Sequence, residues 1–510
     1  MQIGKNQVVV LGPPGCGKTT DLLRKVEKCL ADGIDPRKIG FVSFTKKAVH
    51  EATQRASDKF NIPYDEFQFF KTIHSLCFFL LGMKRANIMA RDSLKDFGEV
   101  VGYRFDGTFD ESETGLPTGA DVGDALLFLD NFARITMTPM VEVWKVAGID
   151  VSWYEAERFS TCLKSYKEST GVMDFTDLLS RVISAKIKLK LDVVFIDEAQ
   201  DLSLLQWHVL RSLFEDVPQV FIAGDDDQSI YKWSGADVNT FLTLPGNKEL
   251  LKQSYRVPRD ILNLALPIIR KVKMRNDKPY AARDEKGSLQ TVQLIENLVI
   301  DESETTLLLA RNVFLLKKYT EMLHNRGISY ILRGGYSSVK KAHIEAIQAY
   351  EAVRRGESVY ARQAKKFYDM LGIGSNLKRG SKATLEREHD ETLVDKADLN
   401  ARFGLSLDLP IWHDALDKIP VESREYYLSI LRAKKKLTAK PMVSINTIHG
   451  VKGGEADHVV LLSDMAYRTY KEYQLEADNE HRVAYVGVTR SRNKLTIVQQ
   501  QGKFAYEYRS

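Results

Sequence analysis

Residues 12–20 read GPPGCGKTT, a run whose types and spacing suit the handling of phosphates. Three glycines, Gly12, Gly15 and Gly17, leave the backbone free to turn its N–H groups around an anion. Lys18 adds a point charge suited to β- and γ-phosphates, and the Thr19 hydroxyl is a ligand suited to Mg²⁺. Pro13, Pro14, Cys16 and Thr20 complete the loop. A Gly/Pro-rich turn ahead of a helix is the plainer reading. The flanks argue against it: QVVVL (7–11) reads as a buried parallel strand and DLLRKVEKCL (21–30) as an amphipathic helix. That strand–loop–helix context is the one that G-x-x-x-x-G-K-T requires.

A second candidate stands far downstream. LDVVFIDEAQDLS (191–203) reads as a buried strand that ends in Asp197, Glu198, Gln200 and Asp201. Beside a phosphate loop, Asp197 is placed to hold Mg²⁺ and Glu198 to take a proton from an attacking water. Alone, the same carboxylates read as a helix N-terminus. Lys18 and Asp197 lie 179 residues apart, too far for one small βαβ core, so something is inserted between them. FVSF (41–44) reads as another strand of the same sheet. The stretch from about Leu80 to Thr170, with its Gly/Asp/Thr-rich segment Gly107 to Gly123, reads as a mostly helical insertion.

The elements that must position these residues have ample material. The chain has 510 residues, enough for about three domains, and its 44% hydrophobic and 28% charged residues are those of a globular protein. No apolar run approaches the ~18 residues of a membrane span, and the N-terminus is too short of apolar residues for a secretory signal. Four cysteines (Cys16, Cys29, Cys77, Cys162) make neither a disulfide framework nor a CxxC pattern, which suits the reducing cytoplasm. Ten histidines show no HExxH or Cys/His spacing for zinc. With 73 Lys and Arg against 68 Asp and Glu, the net charge of +5 neither identifies nor excludes a nucleic-acid binder.

Eight segments in order settle what composition leaves open. GPPGCGKT, SFTKKA (43–48), TIHSLC (72–77), IDEAQD (196–201) and AGDDDQSIYKWSGA (223–236) resemble the motifs of UvrD/Rep-type superfamily 1 helicases. So do QSYR (253–256), NTIHGVKGGEAD (446–457) and VAYVGVTRSR (483–492). The resemblance implies an α/β protein of two RecA-like P-loop motor domains, each with a mostly helical inserted subdomain. The first motor would comprise residues 1–80 and 171–250, with 81–170 inserted. The second would comprise 251–335 and 442–510, with a reduced insertion at 336–441. TLLLAR (306–311), ISYILRG (328–334), MVSINT (442–447), HVVLLSD (458–464) and KLTIVQQ (494–500) read directly as strands of the second.

By the same resemblance the cofactors are ATP and Mg²⁺, with Thr19 and Asp197 at the metal. Gln228 would sense the γ-phosphate and the hydrolytic water. Arg256 and Arg490 would reach the γ-phosphate from the second motor, Tyr255 would stack on adenine and Glu455 would contact the ribose. Phe44, Tyr231 and Trp233 match base-stacking positions, and Thr45, Thr72, His74, Thr447 and His449 match phosphate-facing ones. Taken singly, Arg256 and Arg490 would read as solvated surface and Phe44 as core; Trp233, in a polar loop, would not. Stacking suits a protein that travels over any sequence.

The implied activity is ATP-driven 3′ to 5′ travel on single-stranded DNA with unwinding of duplex. Its partners would be single-stranded DNA and single-strand/duplex junctions, without a membrane and with no stable protein partner to infer. Rival readings are a translocase that strips proteins from DNA and unwinds poorly, a P-loop small-molecule kinase and a non-catalytic ATP switch. The kinase would need neither stacking aromatics nor a second motor half. The sequence also departs from the family. Ser234 follows Trp233 where Arg is usual, and no Gln-bearing segment that reads adenine precedes the P-loop, leaving ATP selectivity open. LGIG (371–374) reads either as a plain loop or as a turn offering N–H groups to duplex phosphate, and RAKKK (432–436) as a solvated helix face, with duplex contact the lesser reading.

Overall fold

Six short β-branched and apolar runs pair into one parallel sheet. They are β1 (Asn6–Leu11), β2 (Ile39–Ser43), β3 (Phe70–Thr72), β4 (Val193–Asp197), β5 (Gln219–Gly224) and β6 (Asn247–Leu250), in the order β3-β2-β4-β5-β1-β6. The computed structural model describes residues 1–105, 121–374 and 376–508; most of the segment Gly107 to Gly123 lies outside the described residues.

Side-chain alternation divides the sheet between two cores. Val10, Phe41, Val193 and Phe195 face α1 (Lys18–Ala31) and α2 (Lys46–Phe60), meeting Leu22, Val26, Ala52 and Ala56. The opposite face carries Val9, Leu11, Val194 and Ile196. After α3 (Ile73–Leu80) come α4 (Arg91–Val101), α5 (Val122–Ile135), α6 (Met140–Ala147) and α7 (Trp153–Thr170). These four have their own core around Phe97, Leu126, Leu129, Phe159 and Leu163. The chain then returns to the sheet, where α3, α8 (Phe175–Ser184) and α9 (Leu204–Phe214) cover the second face through Leu76, Leu178, Trp207 and Leu210.

Register brings the chemical residues to one edge. Ser43 pairs with Asp197, and Leu11 pairs with Gly224. The P-loop, the carboxylates and the Gln228 loop therefore leave neighbouring parallel strands at their carboxyl ends, where open α/β sheets place ligands.

The chain forms two compact units, Met1–Thr291 with Ile448–Ser510, and Val292–Thr447. In the first, the later segment supplies a parallel pair of strands, Ala456–Leu462 and Ser491–Val498, and the buried helix Ala477–Val488. In the second, strands Tyr330–Leu332, Val443–Thr447 and Thr306–Ala310 lie side by side and parallel. All five strands read for this part of the sequence form. Helices Lys341–Arg354 and Ala361–Met370 pack through Tyr350 against Phe367, with ring centroids 5.6 Å apart.

Two local readings resolve in the second unit. The helix before RAKKK ends at Arg432, and Lys434 takes a left-handed φ of 59°, so the lysines form a terminating turn rather than a helix face. Lys435 pairs there with Glu302. In LGIG the Gly372 N–H donates to Asp417 Oδ1 and the Gly374 N–H to the Leu377 carbonyl at 3.0 Å. Both groups already have acceptors, which is the plain-loop reading. Among the described residues no helix is long and apolar enough to cross a membrane.

Candidate functional site

The P-loop is held in shape from both sides. Gly15 and Gly17 adopt left-handed φ values of 72° and 80°. A Cβ on Gly12 would come within 2.3 Å of Cys16 Sγ, and one on Gly15 within 2.4 Å of Arg256 Cβ, so only glycine permits these approaches. Ser254 Oγ donates to the Pro14 carbonyl at 2.9 Å, Tyr280 donates to the same oxygen at 3.2 Å, and the Tyr255 N–H donates to the Gly15 carbonyl at 2.8 Å. No side chain caps α1, so its first N–H groups face the loop. Lys18 is buried and its ammonium donates to the carbonyls of Gly12 (2.7 Å) and Pro13 (3.3 Å). Thr20 lies half-buried on the first turn of the same helix.

Opposite the loop, Thr19 Oγ1 donates to Asp197 Oδ2 at 2.8 Å. Burial, and then the neighbouring Glu198 charge, push the Asp197 carboxyl up to about 7. Burial also acts against an ionised Glu198, but Lys452 and then Lys18 outweigh it and hold that carboxyl below the usual range. The two adjacent acids are thereby driven apart, Asp197 upward and Glu198 downward. Glu198 has φ 54°, a strained backbone for a residue with a side chain, and Gln200 Nε2 donates to its Oε2 at 2.6 Å. The hydroxyl and carboxylate of Thr19 and Asp197 are the hard oxygen donors that Mg²⁺ takes alongside phosphates and water. Among the described residues no group of three or more His, Cys, Asp or Glu forms a metal cage.

Gln228 joins the loops. Its Nε2 donates to Asp225 Oδ2 at 2.7 Å, and its Oε1 accepts from Arg490 Nη2 at 2.8 Å. Arg490 is 1% exposed, and burial, then the nearby Arg256 charge, lower its guanidinium to about 9. Arg256 pairs with Glu455, which also accepts from Arg492 Nε at 2.9 Å. Tyr255 is 71% exposed, leaving its ring face open.

Four of the strand-binding candidates gather. The Phe44 and Tyr231 rings stack with centroids 5.9 Å apart, Trp233 meets Tyr231 edge-on at 6.2 Å, and Tyr231 Oη donates to the His449 carbonyl at 3.1 Å. Phe44 is 41% exposed, which removes the core reading. Trp233 is half-buried, and its Nε1 meets no acceptor among the described residues. Other candidates lie outside this cluster. Thr45 and Thr72 cap α2 and α3, accepting from the N–H groups of Ala48 (3.2 Å) and Ser75 (3.3 Å). His74 packs edge-on to Phe175 at 5.8 Å, and burial keeps it neutral. Thr447 ends a strand of the other compact unit, buried. Ser234 Oγ donates to the Tyr231 carbonyl at 2.9 Å, closing its own turn.

The sequence reading missed Lys452. It lies inside NTIHGVKGGEAD, but no spacing rule marks it. Its ammonium contacts both Asp201 oxygens at 2.5 Å and the Gln228 carbonyl at 2.6 Å, and lies 4.9 Å from the Tyr231 ring centroid. The buried Lys278 and the Arg275 beside it were also unmarked, as isolated cations in a polar segment.

A parallel α/β sheet with a phosphate loop and paired carboxylates at its carboxyl edge defines a P-loop nucleoside-triphosphate-binding protein. Residues 1–249 match the UvrD/REP helicase N-terminal domain, and residues 427–502 match the UvrD-like helicase C-terminal domain. The chain belongs to the UvrD/Rep helicase family. It is 21% identical over 491 residues to the ATP-dependent DNA helicase Rep of Buchnera aphidicola subsp. Acyrthosiphon pisum, covering 89% of this chain and 69% of that one. It is 25% identical over 297 residues to the ATP-dependent DNA helicase PcrA of Bacillus subtilis, and 27% over 320 residues to DNA helicase II of Haemophilus influenzae. Each of these two matches covers 55% of this chain and 40% of the relative's length.

Proposed function

We propose that this chain is an ATP-dependent DNA helicase that moves along single-stranded DNA, 3′ to 5′, and unwinds duplex at single-strand/duplex junctions. The observation that carries the reading is Lys452. One ammonium touches the Gln228 carbonyl on the nucleotide side and the Tyr231 ring on the aromatic side, so a change at either is felt at the other.

In the mechanism, P-loop N–H groups and Lys18 bind the ATP phosphates. Thr19 and Asp197 would hold Mg²⁺, which would supply charge neutralisation to the phosphates. Glu198, kept ionised by Lys452 and Lys18, accepts the proton of the attacking water. Gln228 orients that water, while Arg490 and Arg256 meet charge developing on the γ-phosphate. Arg256 must exchange Glu455 for phosphate to do so, and Glu455 then turns to the ribose beneath an adenine stacked on Tyr255. The Phe44–Tyr231–Trp233 cluster takes bases, and Thr45, Thr72, His74 and His449 face the phosphates of the strand. Residues 1–80 and 171–250 would act as one motor domain and residues 251–335 and 442–510 as the other, with hydrolysis coupled to their closure.

ATP hydrolysis measured with and without single-stranded DNA tests the reading. Strong stimulation is expected, and an unstimulated rate would refute a DNA motor. Duplexes with a 3′ or a 5′ tail test direction; unwinding from the 5′ tail alone would reverse it. A translocase that clears proteins and unwinds poorly is favoured by one observation, the Gly372 and Gly374 N–H groups that are already bonded within the protein.

A further inference from the structure

We propose that Lys278 is a positioning residue for nucleotide hydrolysis: through Asp225 it fixes which way the Gln228 side-chain amide faces. This rests on the hydrolytic reading of the site.

Three consecutive carboxylates, Asp225, Asp226 and Asp227, are buried immediately before Gln228. Lys278, with a side chain 3% exposed, reaches all three, at 2.9, 2.5 and 3.1 Å. The other contacts divide the acids by task. Arg275 forks onto Asp227 with two bonds of 2.8 Å. Asp226 Oδ2 accepts from the Asn276 N–H at 2.8 Å, and the Asp226 carbonyl accepts from Arg482 Nε at 3.0 Å. These two acids are therefore held independently of Lys278. Asp225 is not: its remaining donors are the Asp227 N–H at 3.2 Å and the Gln228 amide itself.

Orientation follows from hydrogen-bond chemistry. A carboxylate only accepts, so Asp225 selects the NH₂ end of the Gln228 amide. The carbonyl end must then face Arg490 Nη2, a donor with no acceptor capacity. Turning the amide over would set oxygen against oxygen and nitrogen against nitrogen. Lys278 keeps Asp225 ionised and fixed in this chain, which runs Lys278–Asp225–Gln228–Arg490. Two residues beyond Lys278, Tyr280 bonds the P-loop at Pro14, so one short segment braces both loops of the site.

Removing Lys278 leaves three buried acids under-compensated, so Lys278→Met alone would lose stability as well as alignment. The test compares Lys278→Met/Asp226→Asn with Asp226→Asn, the second change removing one negative charge without touching Gln228. Thermal unfolding and steady-state ATP hydrolysis with saturating single-stranded DNA are measured on all, with wild type. We expect the double variant to melt within a few degrees of Asp226→Asn while kcat falls roughly tenfold or more and KM for Mg·ATP stays within about threefold. Lys278→Arg, which retains a cation, should restore part of that loss. A double variant with the kcat of Asp226→Asn would show Lys278 to be a charge neutraliser only and overturn the proposal. A parallel rise in KM would place Lys278 in nucleotide binding and overturn it too. A wild-type chain that does not hydrolyse ATP would overturn the hydrolytic reading itself.

Discussion

Lys18 and Glu198 make the two most direct tests of the chemistry. Lys18→Ala removes the buried ammonium that now bonds the Gly12 and Pro13 carbonyls, and ATP turnover should fall by roughly 100-fold or more in a steady-state assay. Glu198→Gln has a different signature. The Gln200 amide that now donates to Glu198 Oε2 can donate equally to an amide oxygen, so the local geometry survives. Hydrolysis should drop roughly 10²- to 10⁴-fold while binding of a fluorescent ATP analogue persists; lost binding would mark the residue as structural. Trp233→Ala should weaken single-strand binding by roughly 1–3 kcal/mol, one base stack, with its salt dependence unchanged, as fluorescence anisotropy would read. The half-buried ring and its edge contact with Tyr231 imply a smaller stability loss than the ~3–5 kcal/mol of a core tryptophan. Unchanged DNA affinity per folded molecule would remove Trp233 from the strand path.

Elements were legible in the sequence where they are local and periodic. The strand–loop–helix at the P-loop, β4 with its terminal carboxylates, and the five later strands all follow from apolar runs and turn residues. What escaped depends on distant pairing. Nothing near Lys278 or Lys452 in sequence says that each will be buried against carboxylates, because the partners lie 51 or more residues away. The RAKKK turn escaped because a single left-handed residue, Lys434, ends a helix whose composition would let it continue. The same long-range logic holds the helical insertion to the sheet. Arg134 on α5 bonds Asp130 on its own helix at 2.8 Å, and Asp174 (2.6 Å) and Asp177 (3.0 Å) at the start of α8. Asp174 and Asp177 also form the capping box of α8. Arg134→Ala would leave these carboxylates facing only Lys167, and a loss near the low end of ~3–5 kcal/mol is expected in urea unfolding. Arg134→Lys should recover only part of it, since an ammonium cannot reproduce the two parallel bonds from Nη1 and Nη2 to the Asp174 carboxylate. A loss under ~1 kcal/mol for Arg134→Ala would mean that α5 and α8 are held by apolar packing alone.

At the scale of the whole molecule, burial of neutral imidazole gives stability a pH dependence separable from that of the acids. His458 sits in the strand Ala456–Leu462, fully buried, with Nε2 2.9 Å from Thr496 Oγ1. Burial, and then the Lys494 charge, lower its imidazole to about 4. An unfolded histidine titrates near 6.5. Above that pH both states are neutral and nothing is lost. As pH falls below ~6.5 the unfolded chain binds a proton that the folded chain refuses, so stability declines until the folded group also protonates near 4. The full difference is about 3 kcal/mol, and about 2 kcal/mol of it falls by pH 5. Carboxylates that ion pairs hold low, among them Asp174 and Glu455, act in the same direction but only at more acid pH, where unfolded acids protonate. Between pH 7 and 5 the raised Asp197 carboxyl titrates as well and acts in the opposite sense, so the comparison with His458→Gln is what isolates this histidine, because glutamine can still bond Thr496 but does not titrate. Urea unfolding at pH 7, 6 and 5 should show the wild-type chain losing about 2 kcal/mol more than His458→Gln across that interval. Parallel losses in the two proteins would mean that His458 accepts its proton in the folded state, and that the strand around it opens to water far more readily than its burial implies.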